Sequence, residues 1–166
     1  NKAEQERIAA EKAAEQERID AEWAAEQEHR PDLRRDRAAF MEWLPPGADD
    51  YKDFVVAINK ERRLEQQVAE SYDIVKDFEK SVESHPYAED LTDIMQTKKA
   101  EWWKRRNVLR TFSKYLDERI EEKKAEKEHI AAERAGLKHI ATEWAEQGHI
   151  AALRVYKARA AANKAD

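Results

Sequence analysis

The sequence predicts an all-α protein, an elongated antiparallel helical hairpin or coiled coil that carries a three-helix head. Charged residues make up 40% of the chain, and its 166 residues include only three glycines and four prolines. So few turn-forming residues cannot supply the loops of a β-sandwich or an α/β fold. The abundant alanine, glutamate, lysine, arginine and glutamine favour helix and are typical of long helices and coiled coils.

Eleven-residue repeats mark the N-terminal end of the chain. Residues 3–13 read AEQERIAAEKA and residues 14–24 read AEQERIDAEWA. Because eleven residues make almost three whole helical turns, the isoleucine of each repeat returns to nearly the same helix face. We therefore predict that residues 1–29 form a helical arm that pairs with another helix.

A related unit recurs in residues 125–166, which form the predicted C-terminal arm. Residues 125–135 read AEKEHIAAERA, and IATEWA at residues 140–145 echoes IDAEWA at residues 19–24. The isoleucines of this arm are ten residues apart, so a regular helix rotates their stripe by about 80° at each step. This apolar face is therefore less coherent than that of the first arm.

The simplest arrangement pairs the two arms antiparallel as a stalk, with residues 30–124 as a helical head. Trp23 and Trp144, which occupy matching repeats, would lie in this stalk. The sequence from Tyr87 to Asn163 contains no proline, so a single helix on the order of 115 Å is allowed there. That length exceeds what a compact domain of this size accommodates, and the stalk model is the prediction that follows.

Proline and glycine divide the head into three predicted helices. Pro31 suits the first turn of a new helix that runs to about Leu44. The Pro-Pro-Gly at residues 45–47 ends that helix, and Asp49 or Asp50 can cap the next one. The second helix should end at the Ser-His-Pro of residues 84–86.

The second and third predicted helices carry apolar residues at the alternating four- and three-residue steps of a coiled-coil seam. Ser71 is tolerated at one of these positions. The predicted seam consists of Leu64, Val68, Val75, Phe78 and Val82 in the second helix and of Leu91, Met95, Trp102, Leu109, Phe112 and Leu116 in the third. The earlier turns of the second helix are expected to use Phe54, Val55 and Ile58.

The stretch from Lys98 to Arg110 combines basic and aromatic side chains. Such a mixture can grip phosphates, stack on single-stranded bases or lie on an anionic membrane. We favour the alternative that neighbouring acids neutralise these cations in a packed head, with Trp103, which lies off the seam, as an exposed contact. The basic residues are Lys98, Lys99, Lys104, Arg105, Arg106 and Arg110.

The proline turn between the first two head helices is a second candidate contact site. A short turn flanked by large apolar residues tends to present them to a partner. The alternative is that these residues close a hydrophobic staple across the turn. The candidate residues are Trp43, Leu44, Pro45, Pro46 and Tyr51.

Enzymatic chemistry has little support in the sequence. Cysteine, a GxSxG motif and a glycine-rich phosphate loop are all absent, and only four serines occur. Histidines recur in the C-terminal arm, but ten-residue steps place them on different helix faces, so we predict neither a metal site nor a cofactor. The residues weighed for a metal were His129, His139 and His149, with Glu133 and Glu143.

The function predicted from these features is a structural or interaction module, a helical spacer that presents a small head to a protein partner of unknown identity. In shape, an alanine-rich antiparallel stalk with a distal tip resembles the central domain of colicin-type bacteriocins, which would imply export and a receptor at a cell surface. A partly designed scaffold is a third interpretation. Nucleic-acid or anionic-membrane binding through residues 98–110 is a weaker one, because the net charge is only −5.

The sequence leaves the compartment and the oligomeric state open. No apolar run approaches the length of a membrane span, and the first residues do not resemble a signal peptide. We therefore expect a soluble chain. A homo-oligomer is compatible with the stalk, since two-stranded stalks often recruit further copies.

Overall fold

A computed structural model describes residues 1–165 and confirms the all-α prediction. The described residues form three helices and no strand, with α1 at Lys2–Trp43, α2 at Tyr51–Ser84 and α3 at Glu89–Ala165. Helix α1 begins at an N-cap, Asn1, whose side chain accepts a hydrogen bond from the Ala3 amide at 3.1 Å. This contact satisfies one of the free amides of the first turn.

The predicted start of a new helix at Pro31 is wrong, because α1 runs through this residue without interruption. A proline inside a helix removes one backbone hydrogen bond and clashes with the carbonyl four residues earlier, at a cost of about 3 kcal/mol. Buried contacts on both sides offset this cost. Trp23 lies before the proline in the aromatic core, and Arg37 lies after it in a buried ion pair with Glu61.

The two predicted breaks are confirmed. The first turn is closed by hydrogen bonds from the Ala48 amide to the Pro45 carbonyl at 3.0 Å and from the Tyr51 amide to the Ala48 carbonyl at 3.1 Å. The second turn follows Ser84, and α3 then continues without a break from Glu89, as the proline-free sequence predicted.

The chain divides into two compact units: a three-helix unit, Asn1–Leu116, and a C-terminal unit, Asp117–Asp166. Side-chain contacts define the directions of the helices in the first. Asp20 pairs with Lys76 and Arg37 with Glu61, so α1 and α2 are antiparallel. Contacts from α1 to α3 rise together along both helices, from Glu26–Arg106 to Arg37–Ser113, so α1 and α3 are parallel.

The N-terminal repeats therefore contribute to the packed head. Ile19 and Trp23 lie against Val68, Val75, Trp102 and Leu109 in the core of the three-helix unit. The prediction that Trp23 lies in a stalk is wrong for this reason, while the predicted pairing of residues 1–29 with residues 125–166 stays a prediction. So does the proposed division at residues 29 and 124.

The α2 seam was predicted only in part. Val68, Ser71 and Val75 are buried as expected, whereas Leu64, Phe78 and Val82 are only half-buried. Toward the start of α2, Phe54 and Ile58 are buried as predicted and Val55 is half-buried. Glu61 and Glu65, which were not predicted, are buried between them and Val68. In α3, Met95, Trp102, Leu109 and Leu116 are buried as predicted, and Leu91 and Phe112 are half-buried.

The C-terminal unit is a single helical segment. Every side chain from residue 128 to residue 159 is exposed. Side-chain contacts within the helix join His129 to Glu133 at 3.0 Å and His139 to Glu143 at 3.1 Å. Within residues 1–165, no helix has an apolar stretch long enough to cross a membrane.

Candidate interaction surface

Three aromatic rings hold the centre of the three-helix unit, one from each helix. Trp23 stacks on Tyr72 with 5.0 Å between ring centroids and meets the edge of Trp102 at 5.5 Å. Tyr72 and Trp102 are 5.6 Å apart. Such aromatic pairs add about 0.5–1.5 kcal/mol beyond the area that they bury, so this cluster fixes the rotation of α3 about its own axis.

A buried arginine on α3 extends this anchoring to α1. Arg106 has 0% exposure and binds both carboxylate oxygens of Glu26, at 3.1 and 3.0 Å. Its guanidinium carbon lies 5.3 Å from the Trp102 ring centroid and 5.1 Å from that of Trp103. The two rings stabilise the buried guanidinium through cation–π attraction. The same contact holds the Trp103 ring in place.

Glu26 is the shared acceptor of this contact. It also accepts hydrogen bonds from Arg110, and a second carboxylate, Glu22, lies 3.5 Å from Arg106. Burial alone raises the pKa of the Glu26 carboxyl, but the hydrogen bonds from Arg106 and Arg110 outweigh it and lower the pKa from its ordinary value. Glu26 is therefore held as a carboxylate.

The predicted basic stretch does not form one exposed patch. Lys99 pairs with Glu79 at 3.4 Å, while Arg106 and Arg110 both hold Glu26. Arg105 donates to the Ser71 hydroxyl, and Lys98 pairs with Glu101 of its own helix at 3.5 Å. Lys104 is exposed. The acids that engage three of these six cations lie on α1 and α2.

A second polar layer joins α1 to α2. Arg37 binds both oxygens of Glu61, at 3.1 Å each, and both side chains are buried. Glu65 accepts from Arg34 at 2.8 Å and lies 3.5 Å from Arg30. The sequence analysis missed these residues, although charged side chains at seam positions 61 and 65 were the available signal.

The outer side of α3 carries an exposed apolar face, called the α3 strip below. Its residues form two rows with four-residue steps, at 100, 104, 108 and 112 and at 103, 107, 111 and 115, so they share a face of the helix. Trp103, Val108 and Tyr115 are exposed, and Phe112 is half-buried. The strip consists of Ala100, Trp103, Lys104, Asn107, Val108, Thr111, Phe112 and Tyr115.

Lys104 is the one charged residue among the eight that line the α3 strip. The ammonium group of Lys60 lies 4.8 Å from the centroid of the Phe112 ring, and Lys114 is exposed next to the strip. Two exposed acids, Glu101 and Glu118, lie on the same side of α3. An occupant of this face would need apolar side chains against the aromatic rings and acidic residues opposite the lysines.

The proline turn places its candidate residues in different environments. Leu44 is 0% exposed and lies in the core with Phe40 and Phe54, whose rings are 4.9 Å apart. Trp43, Pro45 and Pro46 are exposed, and Tyr51 is half-buried. Trp43, whose ring centroid lies 5.8 Å from that of Phe40, is the largest exposed side chain among them.

Metal chemistry has no site in the described residues. No group of three or more histidine, aspartate or glutamate side chains within residues 1–165 is arranged to hold a metal ion. His129 and His139 each contact one glutamate of the same helix.

No protein-family model, curated protein or solved structure matches this chain.

Proposed function

We propose that the chain is a non-catalytic interaction module whose three-helix unit presents the α3 strip to an acidic amphipathic helix of a partner protein. The main observation behind it is the α3 strip, an exposed apolar face whose eight residues include no acid. An amphipathic helix can pack its own apolar face against such a surface, as two helices do in a coiled coil. In this proposal the C-terminal arm, residues 125–166, serves as a helical spacer.

Rigidity of the scaffold supports this proposal. Trp103 lies over the buried Arg106 guanidinium, which is itself bound to Glu26. The exposed indole is therefore held in place before binding, and a preformed surface loses less conformational entropy when a partner binds. Large aromatic side chains held in this way are the residue types that dominate binding energy in interfaces.

Nucleic-acid binding through the same helix has less support. Arg106 and Arg110 are engaged with Glu26, and Lys99 is engaged with Glu79. A phosphate backbone would have to compete with these carboxylates. Affinity for nucleic acid rises with the number of phosphates that free cations neutralise.

The test is a titration of the full chain with a synthetic amphipathic helix that has leucines on one face and glutamates on its flanks. We expect replacement of Trp103 and Tyr115 by alanine to weaken binding at least about tenfold. Val56→Ala on α2, also an exposed apolar side chain, is the matched control and should leave binding unchanged. Fluorescence anisotropy of a labelled peptide measures the affinities.

Two results would reject the α3 strip as the site: equal weakening by Val56→Ala, or undiminished binding by the double variant. A peptide with lysines in place of the glutamates should bind more weakly, because the strip is bordered by cations. If the lysine peptide binds as well, the electrostatic part of the proposal is wrong. Tight binding of a single-stranded oligonucleotide that depends on Lys104 would favour the nucleic-acid function instead.

A further inference from the structure

The C-terminal unit carries an exposed apolar stripe that becomes apparent once its helix is known to be regular. Ile130, Leu137 and Trp144 are seven residues apart. At 100° per residue, these side chains and those of Ile140 and Val155 all point within about 40° of the direction of Trp144. All five side chains are exposed, Trp144 by 74%. Ile150, Leu153 and Tyr156 point away from this stripe.

Charge is distributed unequally along the same segment. Residues 126–133 contain three glutamates and one lysine, whereas residues 154–164 contain four lysines or arginines and no acid. A parallel pair of such segments would place like charges side by side. An antiparallel pair places the acidic end of each segment at the level of the basic end of the other.

We propose that residues 130–158 form an antiparallel two-helix interface with a second copy of this chain, centred near Trp144. The contact would be isologous, since each copy offers the same stripe. It would extend roughly 42 Å, at 1.5 Å per residue. Glu126, Glu128 and Glu133 would then lie near the basic residues that follow residue 153 of the second copy.

The arrangement also matches large side chains with small ones. With Trp144 at the centre, Leu137 lies at the level of Ala151 of the other copy, and Ile140 at the level of Gly148. No atom lies within 4 Å of a Cβ placed at Gly148, so this position is open to an approaching side chain. This interface is separate from the α3 strip and does not depend on it.

Sedimentation velocity of the full chain over a range of concentrations tests the proposal. We expect a monomer–dimer equilibrium whose dissociation constant rises at least about tenfold in Trp144→Glu and in Leu137→Glu. Tyr87→Glu, an exposed aromatic between α2 and α3, is the matched control and should leave it unchanged. Added salt should weaken the dimer, because screening removes the attraction between opposite ends.

The direction of the helices can be tested with single cysteines, since the chain has none of its own. A mixture of Glu133→Cys and Val155→Cys chains, joined by a short bifunctional maleimide, should give mainly the mixed product. Cross-links between two copies of the same variant would instead show parallel pairing and overturn the proposal. A chain that stays monomeric at all concentrations, or a dimer lost in Tyr87→Glu but not in Trp144→Glu, would also overturn it.

Discussion

Two nearly identical hexapeptides have opposite environments in this protein. IDAEWA at residues 19–24 and IATEWA at residues 140–145 are both helical, but Trp23 is 7% exposed and Trp144 is 74% exposed. The difference lies in what surrounds them, since Tyr72 and Trp102 cover the first tryptophan. Local sequence therefore determines helix formation here, while tertiary contacts determine burial.

The first glutamate after each hexapeptide shows the same contrast, although Glu26 lies three residues after its tryptophan and Glu146 only two. Glu26 stands in AEQEH and binds two arginines of α3, whereas Glu146 stands in AEQGH and is exposed. Equivalent changes at the two sites thus separate the contribution of tertiary contacts from that of helix propensity.

The largest expected effect is that of Trp23→Ala. Removing a buried tryptophan leaves a cavity between three helices, so the free energy of unfolding of the three-helix unit should fall by about 3–5 kcal/mol. Trp144→Ala should change it by less than about 0.5 kcal/mol. Native-state hydrogen exchange of amides in residues 51–116, at a concentration where the chain is monomeric, measures both. Equal effects would contradict the contrast between the two repeats.

A slightly smaller effect is expected from Glu26→Gln. This change leaves Arg106, which has 0% exposure, without its bidentate carboxylate, and an unpaired buried charge costs about 3 kcal/mol. Glu146→Gln is the control and should be neutral within about 0.5 kcal/mol. Chemical denaturation followed by circular dichroism gives the comparison. If Glu26→Gln is also neutral, Glu22 has replaced it as the acceptor.

Substitution of the two helical glycines should stabilise the C-terminal unit, whereas the changes described above destabilise the three-helix unit. Gly136 and Gly148 lie in the exposed helix of the C-terminal unit, with no atom within 4 Å of an added Cβ. Replacing either one by alanine should stabilise the helix there by about 1 kcal/mol. Hydrogen exchange should slow in residues 125–165 and remain unchanged in residues 51–116. Faster exchange in the C-terminal unit would indicate that glycine is required there.

The smallest expected effect is the pH dependence of the Glu26 contact. The pKa of this carboxyl is lowered in the folded state from an ordinary value of 4.5. Its contribution to stability is therefore complete above pH 4.5 and is lost as the pH falls through the folded pKa. The difference in free energy of unfolding between the unsubstituted chain and Glu26→Gln should shrink in that acidic range. A difference that grows on acidification would contradict a lowered pKa.

Much of the architecture followed from simple sequence rules. Helix propensity predicted the all-α fold, and the prolines at residues 45 and 86 predicted both turns. The helix start predicted at Pro31 was wrong, because the free-energy cost of one proline in a helix is smaller than the combined energy of the contacts that hold α1 on either side of it. Trp23 was wrongly predicted to lie in the stalk, because similar repeat sequences do not indicate which repeat is covered by other helices.

The candidate surface was less predictable than the fold. Trp103 was identified from its position off the seam, and it is exposed. The remainder of the α3 strip was not predicted. Phe112 occupies a seam position in the sequence, and Val108, Thr111 and Tyr115 lie off the seam among polar residues, so no apolar pattern marks them. Glu61 and Glu65 were also missed, since a search for apolar seams passes over charged residues that are buried in pairs.

The arginine–carboxylate contacts of the three-helix unit have a mechanical consequence. Glu26 is bound to Arg106, Arg34 to Glu65 and Arg37 to Glu61 at three successive levels along α1. Sliding α1 along its axis by less than one helical turn, about 5.4 Å, would separate all three pairs at once and leave two buried guanidinium groups, those of Arg37 and Arg106, without their carboxylates. A force that pulls along the axis of α1 would therefore have to break these three contacts at the same time. A force that lifts the end of α1 would break them one after another, so the helix should resist axial displacement more strongly.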